Sequence, residues 1–130
     1  MTLSHDAGAV IYASDIRRIG AFYAQVAGLR ITHAEGDHIV LESGAFQLVV
    51  VAVPARIAAS IGLTDPPRPR EDTAIKLVLA VADMATAREA ARSLGGQLLP
   101  PQREWQFQGM RVCDGYDPEG NVVQFRQRPA

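Results

Sequence analysis

Apolar and polar positions follow first the period of a strand and then that of a helix, and this succession occurs twice along the chain. The two copies are VIYASDIRRIGAFYAQVAGLRI (10–31) and VLAVADMATAREAARSLGGQLL (78–99). A constant offset of 68 residues relates them, pairing Asp15 with Asp83 and Gly28 with Gly96. In each copy an apolar strand leads into an aspartate that can N-cap a helix, and the helix runs for about three turns before it stops at the glycine. The chain therefore contains an internal repeat.

Both predicted helices have one apolar face, which is expected to pack against a sheet. In the first helix the apolar positions at helical spacing are Ile16, Ile19, Phe22, Tyr23 and Val26. The second helix is rich in alanine, and its inner face is formed by Met84, Ala87, Ala91 and Leu94.

Short strand-like segments separated by turn residues follow each helix. They are LRITHAE, DHIVLE and AFQLVVVAV in the first copy, and GQLLP, GMRVCDGY and NVVQFRQ in the second. The last two are joined by YDPEGN, which predicts a tight reversal. Pro118 fixes its own φ, Asp117 can hydrogen-bond the backbone ahead of it, and Gly120 tolerates a left-handed conformation, as does Asn121. Each copy is thus predicted to be a β-α-β-β-β unit.

One such unit leaves a sheet face exposed, so the two copies are expected to pair and to enclose a cleft between their sheets. A chain of 130 residues is long enough for one hydrophobic core and too short for two. We predict a single α+β domain over residues 1–130, with a first repeat at 7–53, a linker at 54–73 and a second repeat at 74–128.

Composition and charge indicate which binding partners and which cellular compartment to expect. The chain is 48% hydrophobic and 21% charged with a net charge of -1, which argues against nucleic acid and anionic membranes as partners. The longest apolar run, FQLVVVAVP, is too short to cross a membrane, and the start MTLSHDAGAV lacks the features of a signal peptide, so a cytoplasmic location is expected. The single cysteine, Cys113, is expected to be a small buried apolar residue rather than a nucleophile.

Two local motifs resemble the vicinal-oxygen-chelate superfamily, which includes glyoxalase I, extradiol dioxygenases, methylmalonyl-CoA epimerase, fosfomycin-resistance enzymes and bleomycin-binding proteins. ASDIRRIGAFYAQVAGL is similar to the family's first strand, aspartate and Phe-Tyr helix, and YDPEGNVVQF is similar to its closing hairpin and last strand. The resemblance covers nearly the whole chain. It implies two tandem βαβββ repeats that form a U-shaped mixed sheet around a cleft.

Metal-using members of that superfamily hold a divalent ion through side chains on the first and fourth strands of each half. Transferred residue by residue, these positions are Gly8 and Lys76 on the first strands, Gln47 or Val49 on the fourth strand of the first repeat, and Gln124 on the last strand. Glycine has no donor atom, and an ammonium has no lone pair. A catalytic Zn, Ni or Fe site normally needs about three imidazole, carboxylate or thiolate ligands. We therefore predict no metal and no other cofactor, with a site for Zn, Ni, Fe or Mn as the alternative.

Several other side chains are candidates for contact with a ligand. Strand alternation places Lys76 in the cleft as an anion anchor, unless its head simply reaches water. Trp105 and Phe107 lie in a predicted loop, where their rings would stack on a flat ligand or line a dimer interface. The remaining candidates are Tyr12, Gln47, Gln124 and Arg111. Arg111 and Arg126 could frame an anionic pocket, although a surface position is the commoner place for any single arginine.

A metal site at His38 and Glu42 is a weaker hypothesis. They share one strand face but are too far apart to chelate without help, at roughly 3.3 Å rise per residue, so a solvated strand face is the preferred interpretation.

The function predicted from these residues is binding of a small, flat or partly anionic organic molecule in the cleft, without a catalytic metal. This is similar to the antibiotic-binding branch of the superfamily, in which dimers supply residues to each other's pockets. A homodimer is expected on family grounds and because cyclic dimers are the commonest assembly. Two alternatives stay open. One is an enzyme, either a metal-dependent lyase, epimerase or dioxygenase or a metal-free one that uses Lys76; the other is a vestigial cleft in a protein that acts through its dimer surface.

Overall fold

The repeat seen in the sequence gives two units of the same construction. The structure, a computed structural model, describes residues 5–129. Residues 1–4 and residue 130 lie outside the described residues. Residues 1–4 belong to the segment for which the sequence predicts no signal peptide. In chain order the elements of the first half are β1 (Ala7–Ala13), α1 (Ile16–Val26), β2 (Arg30–Ala34), β3 (His38–Ser43), β4 (Phe46–Ala52) and a short α2 (Ala55–Ala58). The second half contains β5 (Leu77–Val81), α3 (Met84–Ser93), β6 (Gln97–Leu98), β7 (Trp105–Phe107), β8 (Met110–Tyr116) and β9 (Val122–Gln127), with a 3₁₀ turn at Pro101–Arg103.

Each unit forms its own mixed sheet. The first sheet has the order β1-β4-β3-β2, and the second has the order β5-β9-β8-β6, with β7 also paired to β8. β1 pairs parallel with β4, and β5 pairs parallel with β9. The next pairs in each sheet, β4 with β3 and β9 with β8, are antiparallel. The predicted α+β fold of two βαβββ units is confirmed, with β7 as an additional strand in the second unit. Among residues 5–129 the strand order shows two sheets that share no strand pair.

Both predicted N-caps are present. The carboxylate of Asp15 accepts a hydrogen bond from the Arg18 amide at 3.1 Å, and that of Asp83 accepts one from the Thr86 amide at 2.9 Å. The helix ends differ from the prediction. Gly28 has a φ of +69°, but the equivalent left-handed residue after α3 is Gly95, at +92°, rather than Gly96.

Gly96 is needed for space instead. A Cβ atom there would come within 2.5 Å of both the Phe22 ring and the Tyr116 carbonyl oxygen. Close approach, not backbone conformation, therefore explains the glycine that aligns with Gly28.

The apolar faces of α1 and α3 pack into one shared core. All five predicted core residues of α1 are buried, and on α3 Met84, Ala87 and Ala91 are buried while Leu94 is partly so. The sheets contribute alternate residues to the same core, among them Leu41, Leu48, Val50, Leu79, Cys113, Val123 and Phe125. Cys113 is buried, as expected, and burial raises the pKa of its thiol.

The segment around Trp105 differs from the sequence prediction. The sequence predicts a loop at Trp105 and Phe107, but the two residues lie in the strand β7, which pairs antiparallel with β8. Gln108 and Gly109 have φ values of +51° and +78° and connect the two strands. The aromatic pair is therefore held on a strand by a tight hairpin.

The YDPEGN segment makes the predicted reversal, and Asp117–Gly120, which we call the closing turn, is also buried. Asp117 Oδ1 accepts hydrogen bonds from the amides of Glu119 and Asn121. Its Oδ2 accepts from the Tyr23 hydroxyl at 2.7 Å and from the Asn121 side-chain amide at 2.8 Å. Burial raises the pKa of Asp117, and it also raises the pKa of Tyr23, with the neighbouring carboxylate acting in the same direction.

Glu119 joins the closing turn to the start of α1. Its two carboxylate oxygens accept hydrogen bonds from the amides of Ser14 and Asp15, at 2.9 and 2.8 Å. A negative charge beside the first turn of a helix is stabilising, because the free amides there carry partial positive charge. Tyr23 and the amides of residues 14 and 15 thus tie the first repeat to the second.

Candidate functional site

Each sheet has a second face, which points away from the helices and which we call its open face. In the first sheet the open face carries Gly8, Val10 and Tyr12 of β1, the paired Gln47, Val49 and Val51 of β4, and His38, Val40 and Glu42 of β3. In the second sheet it carries Val78 and Ala80 of β5, Gln124 and Arg126 of β9, Val112 and Asp114 of β8, and Trp105 and Phe107 of β7. Most of the predicted site residues lie on these faces.

The second open face combines exposed apolar groups with polar ones. Val78, Trp105 and Phe107 have 46%, 41% and 43% of their surface exposed, which is high for large apolar residues. The Arg126 guanidinium lies 5.0 Å from the centre of the Phe107 ring, within the range of a cation–π contact. The same guanidinium donates a hydrogen bond from Nε to Gln124 Oε1 at 2.8 Å. Gln124, Arg126 and Phe107 therefore form one connected row.

Lys76 reaches the same face and forms an ion pair there. Its Nζ lies 3.0 Å from Asp114 Oδ2, and Asp114 stands opposite Gln124 in the strand register. The other carboxylate oxygen, Oδ1, is covered by protein and is the one buried side-chain nitrogen or oxygen in the described part of the chain without a hydrogen-bond partner. Such an atom retains capacity to accept a hydrogen bond. Asp114 is thus a polar group of this face that sequence reasoning missed.

The first open face is also polar at one end. Gln47 donates a hydrogen bond from Nε2 to Glu42 Oε2 at 3.3 Å, and His5 Nε2 lies 3.6 Å from the other oxygen of the same carboxylate. A Cβ atom on Gly8 would lie 2.6 Å from the Gln47 carbonyl oxygen, so the backbones of β1 and β4 approach closely there. The side-chain nitrogen of Gln47 is therefore already engaged by a neighbour on its own sheet.

A cavity of about 590 Å³ lies between β1 and the first residues of β5 and β9. This volume is in the range of small-molecule sites. Among its lining residues are Val10, Tyr12, Tyr23, Arg70, Ile75 and Val122. Of the predicted site residues, only Tyr12 contributes to this cavity, and 68% of its surface is exposed.

Arg111 is placed apart from the other predicted site residues. It pairs with Gln127 in the register, which puts it on the face covered by α3 rather than with Gln124 on the open face. Its Nε lies 3.5 Å from Glu104 Oε1, and the same Glu104 also binds Arg88. The structure therefore brings together Lys76, Gln124, Trp105 and Phe107, leaves Tyr12 and Gln47 on the first sheet, and separates Arg111 from both groups.

The positions that bind metal in the vicinal-oxygen-chelate superfamily carry side chains that are unsuited to binding a cation in this chain. Gly8 has no donor, Lys76 presents an ammonium held by Asp114, and the Gln124 amide oxygen is taken by Arg126. Within residues 5–129 no group of three or more His, Cys, Asp or Glu residues is arranged to hold a metal ion. The donor set at these positions therefore does not fit the ion that the superfamily implies.

The family is shown by the sequence itself. The profile of the glyoxalase-like domain family matches residues 8–125, which is most of the chain. The chain belongs to the glyoxalase-like domain family. Its membership confirms the predicted place in the vicinal-oxygen-chelate superfamily, and the two βαβββ units described above are the fold of that glyoxalase-like domain. A search of curated proteins returned no match.

Solved structures share this glyoxalase-like fold at low sequence identity. One is a glyoxalase/bleomycin resistance protein/dioxygenase family enzyme from Burkholderia phytofirmans PsJN, 19% identical with a TM-score of 0.67, covering 94% of this chain and 97% of that one. Another is a bleomycin resistance determinant encoded on the transposon Tn5, 19% identical with a TM-score of 0.59, covering 98% and 100%. A third is the fosfomycin resistance protein FosX from Mesorhizobium loti, 14% identical with a TM-score of 0.60, covering 98% and 92%. At these sequence identities the structural similarity shows a shared fold and nothing more. The resistance activities are those of the other proteins.

No helix that the structure describes in this glyoxalase-like chain combines the length and the apolar character needed to cross a membrane.

Proposed function

We propose that the protein binds a small, flat organic molecule on the open face of the second sheet and acts by sequestering it, without a catalytic metal. The observation that carries this proposal is the row of Trp105, Phe107 and Val78 exposed beside two polar pairs on one sheet face. Aromatic rings supply stacking area, while a few fixed polar groups set the orientation of a ligand.

The charges on this face favour a ligand that has an anionic group. Lys76 and Arg126 present cations, and Arg126 is only partly engaged, through Nε with Gln124. The Lys76 ammonium is held in place by Asp114, at 3.0 Å. A planar molecule with an acidic group at one end would match these features. Two solved relatives of this fold are resistance proteins for bleomycin and fosfomycin, which supports a sequestered antibiotic as the ligand class.

Binding is expected to be visible through Trp105, because it is the single tryptophan of the chain. Titration with bleomycin, and separately with the anionic aromatic dye 8-anilinonaphthalene-1-sulfonate, should shift or quench its emission. Phe107→Ala, Lys76→Ala and Gln124→Ala should each weaken binding by about 1 kcal/mol, or roughly fivefold, because each removes one stacking or hydrogen-bonding contact.

The matched control is Arg111→Ala, an arginine on the other face of the same strand pair, which should leave the affinity unchanged. Circular dichroism checks that each variant stays folded. If neither probe alters Trp105 emission, or if Arg111→Ala weakens binding as much as Phe107→Ala does, the proposed face is wrong.

We also propose that the protein is a homodimer in which the two open faces, the first of one protomer and the second of its partner, face each other across the ligand site. Val10 and Tyr12 are exposed on the first face, just as Val78, Trp105 and Phe107 are on the second. Exposed apolar groups of this size on two faces of one small domain are typical of an interaction surface. Light scattering at micromolar concentration is expected to give twice the chain mass of 14.0 kDa, and Tyr12→Glu should shift the protein towards monomer. A wild-type mass of one chain would contradict the dimer.

A further inference from the structure

Two histidines meet at one end of the first open face. His33 on β2 and His38 on β3 have ring centres 5.5 Å apart with the planes tilted by 36°. His33 stands opposite Val40 in the register, and His38 is two residues before Val40 on the same strand, so both side chains lie on the same face as diagonal neighbours. About half of the His33 side chain and a third of the His38 side chain are exposed, at 53% and 35%.

A β-bulge is what puts His33 on this face. Ile31 lies opposite Leu41, but the register shifts before His33, which lies opposite Val40. Without the extra residue, Thr32 would oppose Val40 and His33 would point to the other side of the sheet, since side chains alternate along a strand. The irregularity thus turns one imidazole towards the other.

Each imidazole is also held by a neighbouring carboxylate. His33 Nε2 lies 2.8 Å from Glu35 Oε2, and His38 Nδ1 lies 2.8 Å from Asp37 Oδ1. A carboxylate accepts the N–H of the nitrogen it contacts, so the lone pair of the neutral ring is left on the other nitrogen. The nitrogens with lone pairs are then His33 Nδ1 and His38 Nε2. Metal-ligating histidines almost always have their second nitrogen oriented by a carboxylate or carbonyl in this way.

We propose that His33 and His38 together bind one late first-row divalent metal ion, of the class of Cu²⁺, Ni²⁺ or Zn²⁺. Two nitrogens bound side by side to such an ion are about 3 Å apart, since each metal–nitrogen bond is about 2.0–2.1 Å. Rings whose centres are 5.5 Å apart can reach this separation, because the nitrogens project from the ring edges. Imidazole suits these metals, and the negative charges of Glu35 and Asp37 compensate the dication.

This site is separate from the sheet positions that hold metal in the resembling superfamily. In the first sheet those positions are Gly8 on β1 and Gln47 or Val49 on β4, whereas the two histidines lie at the β2–β3 hairpin. Only two protein ligands meet here, with water completing the coordination shell, so the affinity is lower than that of a three- or four-ligand site. The proposal does not depend on the ligand-binding function of the second open face.

Cu²⁺ titration of untagged protein, followed by electron paramagnetic resonance, tests the site. The wild-type protein is expected to bind one equivalent with a spectrum that shows two imidazole nitrogens. His33→Gln and His38→Gln should each lower the affinity by at least about tenfold and leave one imidazole nitrogen in the spectrum. Glu35→Gln should lower the affinity by about tenfold while both nitrogens remain, because it removes an orienting partner and not a ligand.

His5→Gln is the matched control, since His5 is the third histidine of the chain and lies beside Glu42 instead. Its Cu²⁺ affinity should equal that of the wild type. The proposal is overturned if His33→Gln binds as tightly as the wild type, if the wild-type spectrum contains a single imidazole nitrogen, or if His5→Gln causes the loss. Far-ultraviolet circular dichroism on each variant excludes unfolding as the cause of a lost site.

Discussion

Asp117→Ala is expected to lower the free energy of unfolding by about 3–5 kcal/mol. The carboxylate is fully buried and accepts four hydrogen bonds, from the Tyr23 hydroxyl, the Glu119 amide and both amide groups of Asn121. Each buried donor left without an acceptor costs about 1–3 kcal/mol, and water entering the vacated space offsets part of the sum. Losses of this size are typical when a buried hydrogen-bond network is broken.

Urea unfolding monitored by far-ultraviolet circular dichroism measures this effect. Asp72→Ala, an exposed aspartate in the linker, is the control and should change stability by less than about 0.5 kcal/mol. A loss below about 1 kcal/mol in Asp117→Ala would show that the closing turn does not depend on its carboxylate.

The same carboxylate should give stability a recognisable dependence on pH. Burial raises the pKa of Asp117, so the folded state holds the proton more tightly than the unfolded state does. As pH rises from about 4, the unfolded chain ionises first, and the stability of the wild type relative to Asp117→Asn should fall until the folded-state pKa is passed. A difference that stays constant would mean that folding leaves the pKa of Asp117 unchanged, and one that grows with pH would mean that the network favours the charged form.

Glu119→Ala is expected to cost about 2–3 kcal/mol of unfolding free energy. It leaves the amides of Ser14 and Asp15 without their acceptors and removes a negative charge from the start of α1. Glu119→Gln keeps one acceptor oxygen and should lose about half as much. Glu71→Ala, an exposed glutamate in the linker, serves as the control. Equal stabilities of Glu119→Ala and Glu71→Ala in thermal or urea unfolding would rule out this contribution.

Local sequence rules were sufficient for most of the fold. Asp15 and Asp83 cap their helices, and the apolar faces of both helices are buried, because these features depend on neighbours only a few residues away. The structural roles of the glycines were harder to predict. Gly96 aligns with Gly28, but the residue that needs a left-handed backbone is Gly95, and Gly96 is required by contacts with Phe22 and Tyr116 that are distant in sequence.

The candidate site was less accessible to sequence reasoning. Strand alternation correctly grouped Lys76 with Val78 and Ala80, since the side-chain period of a strand is fixed at two. It could not reveal that Asp114 opposes Gln124, because register between strands depends on the whole sheet. For the same reason the sequence could not show that Arg111 and Arg126, the pair that could frame an anionic pocket, lie on opposite faces of the sheet. The bulge that turns His33 left no sign in the residue types around it.

The closing turn also bears on how the protein is made. A ribosome delivers the chain from its amino end, so β1, α1 and the rest of the first repeat emerge long before residues 117–120 are synthesised. Until then the hydroxyl of Tyr23 and the amides of Ser14 and Asp15 lack the acceptors that they have in the finished protein. The first repeat therefore acquires these three hydrogen bonds only after Asp117 and Glu119 have been synthesised.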